Sequence, residues 1–336
     1  MERWEIKKFD SNKICQVYDK WPQLAKESYE SDIETIDFDN INHIIFSGMG
    51  GSGAIGDLFS AILSKTDVHV SIVKGYLLPK TVDSNTLVVT TSVSGNTVET
   101  LTILESIQKL NCKKIAFSSG GKMESFCLKN KIQFRKIPII HSPRASFVSY
   151  VYSILKVLNS VIPIKQQDIV ESLDQLKETA KQISSDHLTD TNPSLNLANW
   201  ISGIPLIYYP WGLQAAAIRF KNSLQENAKI HAMVEDVIEA CHNGIVCWER
   251  PANIQPILLQ GHDDYIKTKE RWLILKEYFK ENNIEYQEIM SSNGNILTKL
   301  LNLIYLLDYS SIYRAILLKT DPSPTSSIDF IKKHLL

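Results

Sequence analysis

The stretch His43-Ile-Ile-Phe-Ser-Gly-Met-Gly-Gly-Ser-Gly53 predicts the fold, because a short buried strand runs directly into a loop of glycine and serine. A second stretch of the same kind is Thr86-Leu-Val-Val-Thr-Thr-Ser-Val-Ser-Gly-Asn-Thr97. Apolar, β-branched runs like these are typical of strands in a parallel sheet. A helical pattern follows each loop, so we expect free backbone N–H groups and a positive helix end beside both. Glycine allows close approach and hydroxyls add donors, so the two loops together predict one phosphate site.

The chain shows two alternating patterns of apolar runs and helical segments, one from about residue 33 to 151 and one after the polar run at 184–193. Such alternation predicts parallel sheets with helices on both faces, and hence an α/β fold of two similar halves. Only the first half carries the glycine and serine loops. The predicted strands of the second half are 204–209, 244–248, 255–260 and 286–290. The predicted organisation is an N-terminal subdomain at 1–155, a helical connector at 156–193 and a C-terminal subdomain at 194–336.

The composition is that of an ordinary globular enzyme. With 336 residues the chain exceeds the size at which a single core usually divides, so two domains are expected. Lysine and arginine total 36 against 37 aspartate and glutamate. This balance provides no general field to recruit nucleic acid, so no nucleic-acid partner is expected and any anion site must be local.

The cysteines and the first residues indicate the compartment. The five cysteines are scattered and include no C-x-x-C pair, which predicts free thiols. The N-terminal residues lack the apolar core of a signal peptide, and no stretch approaches the roughly 18 apolar residues of a membrane span. We therefore expect a cytoplasmic protein without a membrane partner. The histidines show no ligand spacing such as H-x-x-x-H, so no metal is expected.

The first loop also satisfies the dinucleotide pattern G-x-G-x-x-G with Gly48, Gly50 and Gly53. That fingerprint asks for an acidic residue at the end of the next strand, where this chain has Lys74. A lysine could favour a ribose phosphate, so a dinucleotide site stays an alternative, but it leaves the Ser92–Thr97 loop unexplained. A further alternative is that both loops are only tight turns.

Taken together, these motifs resemble the sugar isomerase (SIS) domain family, and Ser92-Val-Ser-Gly-Asn-Thr-Val-Glu-Thr100 is the more specific of them. The resemblance runs from about residue 40 to the C-terminus and points to the bifunctional phosphoglucose/phosphomannose isomerases. It implies two SIS-type subdomains, each a mainly parallel sheet flanked by helices on both faces. The other segments that carry it are Ser142-Pro-Arg-Ala145, Glu226-Asn-Ala-Lys229, Glu239-Ala-Cys-His-Asn243 and the terminal segment from Asp321 to Lys332.

The resemblance implies an aldose–ketose isomerase that interconverts glucose 6-phosphate and mannose 6-phosphate with fructose 6-phosphate through a cis-enediol. Glu226 would be the base, His242 would assist ring opening, and Arg144 would stabilise the enediolate. Lys332 would hold or help open the ring, and Thr325 would leave space for the mannose epimer. No cofactor is implied, and a homodimer would share its active site between subunits. The residues implied to grip the phosphate are Gly50, Gly51, Ser52, Ser92, Ser94 and Thr97.

Each of these assignments has a structural alternative. From the residues alone, Glu226 could be a solvated helix residue, His242 could cap a turn, and Arg144 could pair with a surface carboxylate. Lys332 competes with Lys333, because a C-terminal helix favours cations near its end. Two other functions also stay open: a phosphosugar sensor without catalysis, and an isomerase of amino-sugar or pentose phosphates.

Overall fold

A computed structural model describes residues 1–335, which fold around two parallel sheets flanked by helices and confirm the predicted α/β class. The strands are β1 (His43–Ser47), β2 (His69–Val73), β3 (Thr86–Ser92), β4 (Lys113–Ser118), β5 (Gln133–Lys136), β6 (Ile204–Tyr209), β7 (Met233–Asp236), β8 (Ile254–Gln260) and β9 (Gln287–Met290). The α-helices are α1 (Arg3–Phe9), α2 (Ile14–Asp19), α3 (Trp21–Glu30), α4 (Gly50–Leu63), α5 (Val98–Gln108), α6 (Gly121–Asn130), α7 (Phe147–Val157), α8 (Gln166–Ile183), α9 (Pro193–Trp200), α10 (Gln214–Ser223), α11 (Val237–Ala240), α12 (Ile266–Glu281), α13 (Ile296–Leu317) and α14 (Ser326–His334).

The chain forms two packing units, each built on one sheet. The first-sheet unit holds residues 20–174 and 295–297, and the second-sheet unit holds 1–19, 175–294 and the chain from Thr298 onward. These units are discontinuous in sequence, whereas the subdomains expected at 1–155 and 194–336 are continuous. Those subdomain boundaries stay a prediction.

The first sheet has the strand order β2-β1-β3-β4-β5 with every pair parallel. All residues of β1 and β3 are buried, which explains their continuous apolar and β-branched sequences. Successive residues of β1 face opposite sides of the sheet. Phe46 stacks on Phe59 of α4 at 5.1 Å between ring centroids, while Ile45 belongs to the core formed with Ile103 and Leu104 of α5. The two loops that follow β1 and β3 therefore stand on a rigid base.

The second sheet has the order β7-β6-β8-β9, again with every pair parallel. Its core packs Tyr208 of β6 and Leu258 of β8 with Trp272 and Phe279 of α12. The N-terminal segment belongs to this unit through buried hydrogen bonds. Tyr305 Oη on α13 donates to the Tyr18 carbonyl at 2.6 Å.

The strand predicted at 244–248 is wrong. These residues form a 3-10 helix, Gly244–Glu249, because Asn243 Oδ1 accepts the Gly244 N–H at 2.6 Å and starts a helical turn. The edge of the sheet is instead β7, which pairs with residues 206–209 of β6. Its sequence, Met-Val-Glu-Asp, has four residues and two carboxylates, so it lacks the apolar run by which the other strands are recognised.

Candidate active site

The two glycine and serine loops lie at the point where the strand order of the first sheet reverses. β1 and β3 are hydrogen-bonded neighbours whose connections lead to opposite sides, so the loops after them open a crevice at their carboxyl ends. Ligands of open α/β sheets bind at such switch points. Helices α4 and α5 begin at these loops, at Gly50 and Val98, and direct their positive ends toward the crevice.

The Ser92–Thr97 loop is held by its own hydroxyl groups. Ser92 Oγ lies 2.9 Å from Thr97 Oγ1 and accepts the Gly95 N–H at 3.1 Å. Gly95 has φ +68°, and a Cβ built on it would lie 2.7 Å from the carbonyl carbon of Gly120. The sharp turn therefore requires glycine. Ser94 Oγ, which is partly exposed, accepts the Asn96 N–H at 3.3 Å.

One hydrogen bond joins the two loops, since the Val93 N–H donates to Ser52 Oγ at 3.2 Å. Ser52 and Ser92 are both buried, whereas Gly50 is exposed at the rim. We call the six loop residues that the sequence predicts to bind phosphate the phosphate cradle. Hydrogen bonds link Ser52 to the second loop and Ser92 to Thr97, while Gly50, Gly51 and Ser94 lie elsewhere in the same two loops.

Lys74, which kept the dinucleotide alternative open, forms an ion pair. Its Nζ lies 2.6 Å from Oδ2 and 2.7 Å from Oδ1 of Asp57, a buried carboxylate on α4. This pairing explains the lysine at the end of β2 without a ribose phosphate, because a buried carboxylate requires a cation or donors beside it.

Arg144 lies beside the cradle in the same unit. It is 6% exposed, and its backbone packs on Gly51: a Cβ built there would lie 3.2 Å from Arg144 Cα. The loop that carries it is fixed by Trp21, whose Nε1 donates to the Ala145 carbonyl at 3.1 Å, and by Ser146, whose Oγ accepts the Ile140 N–H at 2.8 Å. The backbone that carries Arg144 is therefore fixed by contacts within this unit.

Glu226 lies in the second-sheet unit, in one turn of π-helix, Leu224–Ala228, that continues α10. Such turns are rare and frequently occur at functional sites. Glu226 is partly buried, and the turn ends at Lys229, which has φ +59° and whose Nζ donates to the Glu226 carbonyl. Lys229 Nζ also reaches the Pro322 carbonyl at 3.4 Å, which ties this turn to the segment before Thr325.

A buried ion pair supports the π-helical turn. Arg219 donates to Asp308 Oδ2 from Nε at 3.0 Å and from Nη2 at 2.6 Å, and both residues are buried. Ser223 Oγ donates to the other carboxylate oxygen at 2.7 Å, and Asn227 Nδ2 donates to Ser311 Oγ at 2.8 Å. Burial acts to lower the pKa of Arg219, but the charge of Asp308, together with Tyr18, the hydrogen bonds to Asp308 and the charge of Glu226, outweighs it and raises that pKa.

His242 is exposed on the turn after α11, where its N–H donates to the Glu239 carbonyl at 2.9 Å. Asn243 beside it donates from Nδ2 to Glu239 Oε1 at 2.7 Å. The turn is therefore fixed by its own side chains while the imidazole faces solvent. An exposed imidazole on a fixed turn can exchange protons with a ligand.

Thr325 and Lys332 lie at the start and near the end of α14. The Thr325 carbonyl accepts the Ile328 N–H at 2.9 Å, and the Thr325 side chain makes no capping hydrogen bond to the helix. Lys332 and Lys333 are both exposed, so accessibility does not separate them. The preference for Lys332, which rests on its spacing from Thr325 in the sequence, stays a prediction.

The structure thus places Arg144 with the cradle in one unit, and it places Glu226, His242, Thr325 and Lys332 on separate elements of the other. The buried pair beneath Glu226 was missed by sequence reasoning. Its signal was present, because Asp308 is a lone carboxylate within the long apolar run of α13.

Within residues 1–335, no group of three or more His, Cys, Asp and Glu side chains is placed to hold a metal ion. Over the same range, every helix is too short or too polar to cross a membrane.

The fold is that of the SIS class of sugar-phosphate isomerase domains. A family model described as bacterial phospho-glucose isomerase C-terminal SIS domain matches residues 190–335. The crystal structure of a hypothetical protein from Thermus thermophilus superposes with a TM-score of 0.74 at 14% identity, covering 99% of this chain and 92% of that one. A glucose-6-phosphate isomerase from Chlamydia trachomatis superposes with a TM-score of 0.69 at 12% identity, covering 95% and 72%.

Sequence relatives narrow this class. A bifunctional phosphoglucose/phosphomannose isomerase from Caldicellulosiruptor bescii is 31% identical over 331 residues, which are 94% of this chain and 96% of the relative. A protein of the same name from Aquifex aeolicus is 28% identical over 94% of each chain. The chain belongs to the bifunctional phosphoglucose/phosphomannose isomerase family, and the predicted resemblance is confirmed.

Proposed function

We propose that this isomerase interconverts glucose 6-phosphate and mannose 6-phosphate with fructose 6-phosphate by proton transfer through a cis-enediol. The observation that carries the proposal is the phosphate cradle at the switch point of the first sheet, in a chain related over its length to enzymes named for these activities. The helix ends and hydroxyl groups of the cradle suit the phosphate that the three sugars share. Phosphate binding alone does not distinguish an aldose from a ketose, so the reaction depends on other residues.

Glu226 is the proposed base that moves the proton between C1 and C2 of the opened sugar. A positioned carboxylate contributes roughly 100-fold to 10,000-fold in such a step. His242 is proposed to exchange the proton of the ring oxygen during ring opening, and Arg144 to stabilise the negative charge of the enediolate. Lys332 is proposed to hold the ring, and Thr325 to leave room for the mannose epimer. The hydrogen that leaves C2 is balanced by the one gained at C1, so the reaction requires no external oxidant and we propose no cofactor.

We further propose a cytoplasmic homodimer in which each active site draws its histidine from the partner subunit. The free cysteines among residues 1–335 support a reducing compartment. The test of sharing mixes Glu226→Gln with His242→Ala protein after unfolding and refolding together, with each variant refolded alone as control. Recovery of activity in the mixture alone is expected. No recovery, with mixed dimers verified by mass, would contradict the shared site.

The test of the function measures fructose 6-phosphate formed from each aldose phosphate, without added metal and with a chelator present. We expect turnover of both. Turnover of glucosamine 6-phosphate or a pentose phosphate in their place would change the substrate class. Binding of glucose 6-phosphate in calorimetry, without turnover of either aldose phosphate, glucosamine 6-phosphate or a pentose phosphate, would instead indicate a phosphosugar sensor without catalysis.

A further inference from the structure

The backbone after His242 is covered by a carboxylate from the neighbouring strand. A Cβ built on Gly244 would lie 2.6 Å from Oε2 and 2.8 Å from Cδ of Glu235, which is on β7. A side chain at position 244 and the observed position of the Glu235 carboxylate therefore exclude each other. The φ of Gly244 lies outside the left-handed region, so a side chain here is opposed by the Glu235 carboxylate and not by the backbone conformation.

Glu235 is itself a residue of the second sheet. It lies opposite Tyr208 in the register between β7 and β6, and the side chain of Tyr208 is buried in the core. Burial raises the pKa of Glu235, and the negative charge of Glu239 adds to that effect. Glu239 in turn holds Asn243. Two acidic side chains thus contact the residues that follow His242, one through Asn243 and one through Gly244.

The far end of the same segment is held by the adjacent strand, β6. Trp248, in the 3-10 helix that begins at Gly244, donates from Nε1 to Tyr208 Oη at 2.9 Å. One short segment therefore contacts the β6–β7 edge at two points. Gly244 packs under Glu235, and Trp248 bonds to Tyr208. The segment between His242 and Trp248 can move as a whole only if both attachments yield.

We propose that Glu235 is a positioning residue for His242: its carboxylate packs on Gly244 and fixes the turn that presents the imidazole. This inference rests on the proposed role of His242 in ring opening. Loss of the packing leaves phosphate binding intact but lets the imidazole depart from its reactive position, and misplacement by about 1 Å can cost roughly 100-fold in rate.

The test measures kcat, KM and the thermal midpoint of Glu235→Ala, Gly244→Ala and the double variant, with Glu249→Ala as the exposed control on the same 3-10 helix. We expect each single variant to lower kcat by about 10-fold to 100-fold, with KM little changed. The double variant should be no slower than the slower single one, because both changes remove the same contact. Glu235→Gln keeps the shape and should restore most of kcat.

Additive losses in the double variant, or wild-type kcat in both single variants, would overturn the inference. If Glu235→Ala does not fold, Gly244→Ala and Glu235→Gln carry the test, because both keep a full-length side chain at position 235. His242→Ala separates the two hypotheses. Wild-type activity in His242→Ala would remove the proposed role of His242 itself. Inactive His242→Ala beside fully active Glu235→Ala and Gly244→Ala would remove only the positioning role.

Discussion

The backbone of Arg144 packs against Gly51, so the phosphate cradle and a candidate catalytic cation share one contact. A Cβ on Gly51 would lie 3.2 Å from Arg144 Cα and 3.2 Å from the Pro143 carbonyl oxygen. Both of these are backbone atoms on a loop that Trp21 and Ser146 hold in place. Any side chain at position 51 must therefore displace the loop that positions the guanidinium.

Gly51→Ala should lower kcat/KM by about tenfold or more, because a shift of a few tenths of an ångström in the Arg144 loop misaligns the cation. Steady-state kinetics with fructose 6-phosphate measures this effect. Gly75→Ala is the matched control, since a Cβ at Gly75 meets no atom within 4 Å. Equal kinetics for the two variants would show that the contact at Gly51 has no part in catalysis.

Ser92 and Ser94 lie in one loop but should respond differently to alanine. Ser92→Ala removes the buried contacts to Thr97 and Gly95, which loosens the loop. We therefore expect KM to rise and the melting temperature to fall. Ser94→Ala removes one partly exposed hydroxyl and should raise KM alike for all phosphosugars, with kcat retained. Kinetics with glucose and mannose 6-phosphates, together with melting curves, tests both. If Ser94→Ala lost activity toward only one of the two sugars, a role of Ser94 in phosphate binding would be contradicted.

The first sheet and its cradle could be predicted from the sequence because their signals are local. A continuous apolar strand, a glycine and serine loop, and a helical pattern stand next to one another at both Gly48–Gly53 and Ser92–Thr97. The edge strand of the second sheet was harder to predict from the sequence. β7 is recognisable only by its pairing with β6, and the segment 244–248 has the composition of a strand although Asn243 starts a helical turn there.

The pair that supports the Glu226 turn could be predicted only in part, because Asp308 is recognisable as a lone carboxylate in an apolar helix but its partner is not. Arg219 and Asp308 are 89 residues apart, and nothing in either local pattern names its partner. Their pairing depends on α10 and α13 lying side by side in the second-sheet unit, which is a property of the tertiary fold. Motif resemblance predicts a role for Glu226, but it did not indicate that a buried charge pair holds the turn that carries it.

Arg219→Met should destabilise the protein by about 3 to 5 kcal/mol, because it leaves the buried carboxylate of Asp308 without its cation. Chemical denaturation followed by circular dichroism measures the change in the free energy of unfolding. Arg3→Ala is the control, since the Arg3–Asp186 pair is exposed and its loss should cost below about 1 kcal/mol. A loss in Arg219→Met no larger than in the control would contradict a supporting role for this pair.

Glu226→Gln should retain phosphosugar binding and lose isomerase activity by about 100-fold to 10,000-fold, since the amide cannot take the proton from carbon. Calorimetric affinity for fructose 6-phosphate and kcat are the two measurements. Gln225→Ala, an exposed neighbour on the same π-helical turn, should keep both. Normal turnover by Glu226→Gln would remove the base assignment, whatever its affinity.

Thr325→Gln should lower kcat/KM for mannose 6-phosphate more than for glucose 6-phosphate. The proposed role of Thr325 is to leave space for the mannose epimer, and a larger amide would fill that space. Thr325 bonds to the first turn of α14 through its carbonyl group, and its side chain makes no capping hydrogen bond. The substitution should therefore leave α14 in place. The ratio of kcat/KM for the two sugars is the measurement, and Thr325→Ser, which is no larger than threonine, should leave that ratio unchanged. An equal loss for both sugars in Thr325→Gln would mean that Thr325 does not determine the choice between epimers.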